Sequence, residues 1–106
     1  MANTYKNAKV DLSTTAATTL YTCASTVTAI VKSIIVSEDS GNADTITVTI
    51  TNGSSVYSLF KVKAVGANAT VELLTAPLVV QPTEVLKVTA ATANRLHVVA
   101  SILEIT

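Results

Sequence analysis

The chain has 106 residues and no net charge; 49% of its residues are hydrophobic and only 13% are charged. This length suits one domain, which we predict to span residues 1–106, and it allows a hydrophobic core without disulfides. The neutral balance leaves no basic patch for phosphates, and no apolar run approaches the ~20 residues that cross a bilayer. We therefore expect neither nucleic acid nor a membrane as a partner. The start, MANTYKNAKVDL, lacks the apolar stretch of a signal peptide.

Alternating apolar and polar residues run through most of the chain, and this period of two predicts β-strands rather than amphipathic helices. The strongest segment, 26–37 (TVTAIVKSIIVS), is apolar on both sides, as in a strand that is covered on both faces. Its pattern puts Ile30, Ile34 and Val36 on one side and Val31 and Ile35 on the other. The predicted strands are residues 6–12, 19–23, 26–37, 44–51, 55–65, 69–74, 78–81, 84–90 and 95–105.

The segment 44–51 (DTITVTIT) alternates without charge after its first residue. We predict that Ile46, Val48 and Ile50 face the core, while the threonines between them face water or a neighbouring subunit. Asn52-Gly53 follows, and this dipeptide between two alternating runs predicts a two-residue hairpin with a type I′ turn.

Eight or nine short strands predict an all-β fold in which two antiparallel sheets form a sandwich, either a jelly roll or an immunoglobulin-like sandwich. We expect Ile34, Val48, Val88 and Val98 to be fully buried. The last predicted strand is apolar on both sides and needs cover on two faces, whereas a small sandwich covers only one. This feature and the low charge predict a homo-oligomer.

Two side chains have catalytic potential, His97 and Cys23, the only histidine and the only cysteine. A histidine base needs a nucleophile and an orienting acid, and no serine or cysteine here lies in a known nucleophile context. We expect His97 to be a structural or interface residue and Cys23 to be a small buried side chain. The sequence thus predicts no catalytic residues and a protein that is not an enzyme.

Glu38, Asp39 and Asp44 cluster in the stretch SEDSGNAD, where carboxylates could offer calcium its oxygen ligands. The spacing matches no known loop motif, so we predict a solvated turn. No metal-ligand spacing and no glycine-rich phosphate loop is present, and we expect no metal and no cofactor. Lys61 and Lys63 alternate with apolar neighbours and are expected on a wet face or a protected sheet edge.

Three stretches together resemble small virion structural proteins of tailed bacteriophages, especially phages of cyanobacteria and marine bacteria. They are 28–38 (TAIVKSIIVSE), 67–80 (ANATVELLTAPLVV) and 84–105 (EVLKVTAATANRLHVVASILEI), so the resemblance covers nearly the whole chain. The motifs are structural and carry no chemistry. One departure is the turn Pro82-Thr83-Glu84, where many similar proteins have Gly-Asp.

The resemblance implies a capsid decoration (cement) protein that binds the major capsid protein and stabilises the shell. The alternatives are a tail, neck or baseplate component of the virion and a receptor- or glycan-binding module on a fibre. The latter has little support, because only four aromatic residues could form a sugar platform. We expect the protein on the capsid surface after synthesis in the host cytoplasm, as a homo-oligomer that symmetry analogy suggests is a trimer.

Overall fold

The structure is a computed structural model that describes residues 2–106, and within this range the chain forms nine strands and no helix. The all-β prediction is confirmed, and each predicted segment overlaps one strand. The first strand begins at Asn3 and not at residue 6. The strands are β1 (Asn3–Asp11), β2 (Thr18–Thr22), β3 (Thr28–Glu38), β4 (Asp44–Asn52), β5 (Ser55–Val65), β6 (Thr70–Glu72), β7 (Leu78–Val80), β8 (Val85–Ala90) and β9 (Leu96–Ile105).

The strands form two antiparallel sheets in a sandwich-like arrangement, as predicted. Sheet A has the order β1-β9-β3-β6, with β7 also paired to β3, and sheet B has the order β2-β8-β4-β5. Most neighbours within each sheet are distant in sequence, so the order was not readable from the alternation pattern. Whether the sandwich is a jelly roll or immunoglobulin-like stays a prediction.

The core lies between the two sheets and is built from the inward-facing residues of both. Ile34, Val48, Val88 and Val98 have no exposed surface, which confirms their predicted burial. Burying one such side chain contributes about 1.5–3 kcal/mol relative to leaving it exposed. On β9 every second residue is buried: Leu96, Val98, Ala100 and Ile102.

The inward and outward faces of β3 change places at a β-bulge. Its pairing with β9 shifts register between Val31 and Ser33, so Lys32 is an extra residue in the strand. As a result Val31 is fully buried and Ile30 is only half-buried, the reverse of what unbroken alternation predicts. The prediction that Ile30 shares a face with Ile34 is therefore wrong.

The hairpin between β4 and β5 is one residue further along than predicted. Asn52 pairs with Ser55, so the loop residues are Gly53 and Ser54. Among residues 52–55 only Gly53 has a positive φ, at 62°. A positive φ at the first loop position alone is the pattern of a type II′ turn, and the type I′ prediction is wrong.

Candidate interaction surfaces

His97 lies on the outer face of sheet A, between two exposed carboxylates. Its Nε2 is 3.3 Å from Asp11 Oδ1 and its Nδ1 is 3.4 Å from Asp39 Oδ2. The histidine thus connects the end of β1 with the turn after β3. Exposed contacts between charged or polar side chains contribute little to stability, about 0–1 kcal/mol. Neither contact supplies a nucleophile.

Cys23 is buried at the end of β2, as predicted. Its thiol donates to the carbonyl oxygens of Val27 at 3.2 Å and Val80 at 3.5 Å. Burial raises the pKa of the thiol and disfavours the reactive thiolate.

A buried polar contact joins the two sheets beside Cys23. The Tyr21 hydroxyl donates to the Glu104 carboxylate, whose Oε2 is also 3.6 Å from Lys6 Nζ. Burial, together with the neighbouring carboxylate, raises the pKa of Tyr21, so the phenol stays protonated and keeps donating. This contact ties β2 of sheet B to β9 of sheet A.

The turn after β3 is not a solvated acidic cluster, because Glu38 is only 2% exposed. Its carboxylate accepts backbone N–H bonds from Ser40 (2.9 Å), Gly41 (3.0 Å), Asn42 (3.2 Å) and Asn68 (2.9 Å), and one from the Ser40 hydroxyl. Burial alone would raise the pKa of this carboxyl, but these hydrogen bonds outweigh burial and lower the pKa to about 2. The Ser-Gly-Asn run is the signal that could have revealed such an anion-accepting turn.

Asp44 is also buried, and its Oδ2 accepts the N–H of Thr92 at 3.0 Å. The prediction of a solvated turn is therefore wrong for Glu38 and Asp44 and right for Asp39, which is exposed. Within residues 2–106, no group of three or more His, Cys, Asp or Glu side chains could hold a metal ion. That part of the chain also has no helix able to cross a membrane.

The threonines of β4 form the centre of the outer face of sheet B. Ile46 and Val48 on the opposite side are fully buried, as predicted, and Ile50 is half-buried. Thr47 Oγ1 accepts the N–H of Val62 at 3.1 Å, so this hydroxyl supports the neighbouring edge strand. Four threonines on this face are half-buried: Thr45, Thr47, Thr49 and Thr51.

The outer face of sheet A is more apolar. Cross-strand pairing places four side chains side by side, and we call them the apolar row: Tyr5, Leu103, Ile30 and Val79. Tyr5 is 75% exposed and Val79 is 52% exposed. The same face carries Val99 next to Ile35, each more than a third exposed. The prediction that β9 is apolar on both sides is confirmed, and its outer side is uncovered in the single chain.

Comparison of the chain with protein-family models, with curated proteins and with solved structures finds no match.

Proposed function

We propose that the chain is a structural subunit of a bacteriophage virion, and that it decorates the capsid by binding the major capsid protein and stabilising the shell. The segments 28–38, 67–80 and 84–105 resemble small virion structural proteins of tailed bacteriophages, and this resemblance supports a role in the virion. The uncovered outer face of sheet A supports a role in binding another protein.

The apolar row is the observation that carries the proposal. Contiguous apolar side chains on a monomer mark an interaction surface when they are exposed together. Here β1, β9, β3 and β7 hold the row in fixed register, so its shape is set before binding. The row itself carries no charge, which reduces the cost of removing water from it and suits docking to a protein surface.

We further propose that the protein acts by binding and not by catalysis. The single thiol is buried and hydrogen-bonded to backbone carbonyls. The contacts of His97 that the structure describes are with two exposed carboxylates. Neither arrangement brings a nucleophile and a base together.

The test measures binding of the purified chain to empty capsids and to tails of the phage that encodes it, and to surface glycans of the host. Co-sedimentation measures binding to capsids and tails, and a glycan array measures binding to glycans. We expect binding to capsids, at hundreds of copies per particle. Val79→Lys, which places a charge in the apolar row, should weaken capsid binding at least tenfold. The matched control is Val56→Lys, because Val56 is similarly exposed but lies on β5 of sheet B.

Binding to tails alone, at three to a dozen copies, would replace the decoration proposal with the tail, neck or baseplate alternative. Binding to glycans alone would favour the fibre module. Equal losses of capsid binding in Val79→Lys and Val56→Lys would show that the apolar row is not the docking surface.

A further inference from the structure

Two long strands form sheet edges in the part of the chain that the structure describes, β1 in sheet A and β5 in sheet B. An unpaired edge presents a row of N–H and C=O groups to any strand that can approach it. The two edges differ in how well they resist such pairing: β5 is protected, whereas β1 is open to a further strand.

The β5 edge is irregular. Its pairing with β4 shifts register twice, and Val62 has a φ of 53°, which bends the strand out of the extended conformation. Lys61 and Lys63 are exposed on either side of it. The β1 edge also has two exposed lysines, so the irregular backbone is what distinguishes β5, because a bulged strand is one device that protects an edge against further strands.

The β1 edge is regular. It pairs with β9 from Asn3 to Asp11 without a register shift, and it contains no proline. The side chains of residues 3–7 are exposed. A long, regular edge beside an apolar sheet face is a site for strand addition.

The hydrogen bonds at the two ends of β1 show which of its backbone groups point away from β9. Ala2 and Thr106 exchange N–H···O bonds at 3.2 and 2.9 Å, and the N–H of Leu12 donates to Leu96 O at 3.0 Å. Since antiparallel strands alternate between bonded and non-bonded positions, the even-numbered residues point to β9. The outward groups therefore belong to Asn3, Tyr5, Asn7, Lys9 and Asp11.

We propose that two copies of the chain pair their β1 strands antiparallel, around a two-fold axis at Asn7. This register sets Asn7 against Asn7, Tyr5 against Lys9, and Asn3 against Asp11. It uses the outward N–H and C=O groups along the whole strand. A shift in either direction leaves some of these groups without a partner.

The side chains are compatible with this register. In this register no two like charges would stand directly opposite each other. Lys9, whose ammonium donates to Asn7 Oδ1 at 3.2 Å in the single chain, would stand opposite the exposed ring of Tyr5, within reach of a cation–π contact. Lys6 lies on the other face, where the Glu104 carboxylate of its own chain is 3.6 Å from its ammonium and reduces repulsion between the two copies. This self-complementarity favours a second copy over a foreign strand.

The pairing would merge the two copies of sheet A into one continuous sheet, with both apolar rows on the same side. An antiparallel edge contact is isologous, so it gives a two-fold dimer and not the trimer that symmetry analogy suggests. This dimer specifies the homo-oligomer that the sequence predicts, and it is independent of binding to capsids.

A single cysteine at the axis tests the register. Residues in a bonded antiparallel pair have Cα atoms about 5.5 Å apart, within the range that a disulfide spans. We expect Asn7→Cys to form covalent dimers under mild oxidation. Asn3→Cys is the matched control, because residue 3 would face residue 11 and not its own copy. The native Cys23 is buried and does not compete.

Sedimentation equilibrium of the unmodified chain tests the dimer itself. We expect dimers at micromolar concentration, and self-association at least tenfold weaker in Asn7→Pro. Proline removes an N–H that points away from β9, so circular dichroism should show the fold retained. If Asn7→Pro does not fold, the two cysteine variants still decide the question.

Three results would overturn the inference: a monomeric unmodified chain, a folded Asn7→Pro that dimerises as well as the unmodified chain, or equal crosslinking of Asn3→Cys and Asn7→Cys. A monomer that binds capsids would remove the dimer and leave the proposed function standing. A dimer that binds no part of a virion would support the strand pairing and remove the proposed function.

Discussion

Most acidic side chains in this lightly charged chain act as acceptors for its own backbone. Of the seven acidic residues, Glu72 accepts N–H bonds from Ile34 at 2.9 Å and from Leu74 at 3.1 Å, and Glu84 accepts one from Gln81 at 2.7 Å. Glu38 does the same in the turn after β3, and Asp44, at the start of β4, accepts the N–H of Thr92 in the loop between β8 and β9. These four carboxylates organise loops and strand ends of the fold, and two of them, Glu38 and Asp44, are buried while doing so.

The stability of the fold should therefore fall in acid, and Glu38 should contribute to this loss. Its folded-state pKa of about 2 lies below the ordinary value of 4.5, so its stabilising effect is complete above about pH 5 and is lost as the pH falls toward 2. We expect the free energy of unfolding, measured with urea, to drop less between pH 7 and pH 3 in Glu38→Gln than in the unmodified chain.

Asp39→Asn is the control for this experiment, because Asp39 is the neighbouring exposed carboxylate and accepts none of the backbone bonds made to Glu38. It should leave the pH dependence close to that of the unmodified chain. A Glu38→Gln protein with an unchanged pH dependence would contradict the assignment.

Val62 is strained, because a β-branched residue with a φ of 53° is a rare conformation that costs about 1–3 kcal/mol. Its side chain is 60% exposed, so little packing is lost on substitution. We expect Val62→Asn to raise the free energy of unfolding by about 1 kcal/mol, since asparagine tolerates positive φ. Val56→Asn, at an equally exposed position of β5 without positive φ, should not stabilise; equal effects would argue against strain.

Whole elements were predictable where one face is apolar and the other polar, and details failed where both faces are apolar. Alternation located β4 and its inward residues because its outward residues are all threonine. It could not reveal the bulge at Lys32, since either register of β3 puts aliphatic side chains inward. The burial of Glu38 was not predicted, because the sequence pattern is the same for a carboxylate that accepts backbone hydrogen bonds and for a solvated one.

Two adjacent isoleucines of β3 differ in burial because they lie on opposite faces of the strand. Ile34 is fully buried and Ile35 is 38% exposed. Ile34→Ala should cost about 2–4 kcal/mol because it leaves a cavity between the sheets, whereas Ile35→Ala should cost about 1 kcal/mol or less. Urea unfolding of the two variants distinguishes these values. Similar losses would mean that the outer face of sheet A is already covered in the isolated protein.

At the scale of the molecule, the two outer faces differ in chemistry. Sheet A shows the apolar row, while sheet B shows the threonines of β4 with Lys87 beside Thr49, and it keeps its one acidic strand residue, Asp44, buried. Under the proposed function, a sandwich with such unlike faces would bind in one orientation, with sheet A toward its partner and sheet B toward water.

The binding role can be separated from the two side chains with catalytic potential. His97→Ala removes contacts with two exposed carboxylates, and Cys23→Ser keeps a hydrogen-bond donor for Val27 and Val80. Both variants should bind capsids within about twofold of the unmodified chain, with Val79→Lys as the variant that fails. A specific loss of function in folded His97→Ala would reopen a chemical role for the imidazole.

The hydrogen-bonded pair of Ala2 and Thr106 has a consequence for protein engineering. Because these two residues lie side by side at one end of sheet A, a short glycine-serine linker can join residue 106 to residue 2. The chain can then be opened at the exposed turn between Gly53 and Ser54, where circular permutation is best tolerated. The permuted chain keeps the central pairing of β9 with β3 and moves both chain ends to sheet B. Cargo fused there would leave the apolar row free.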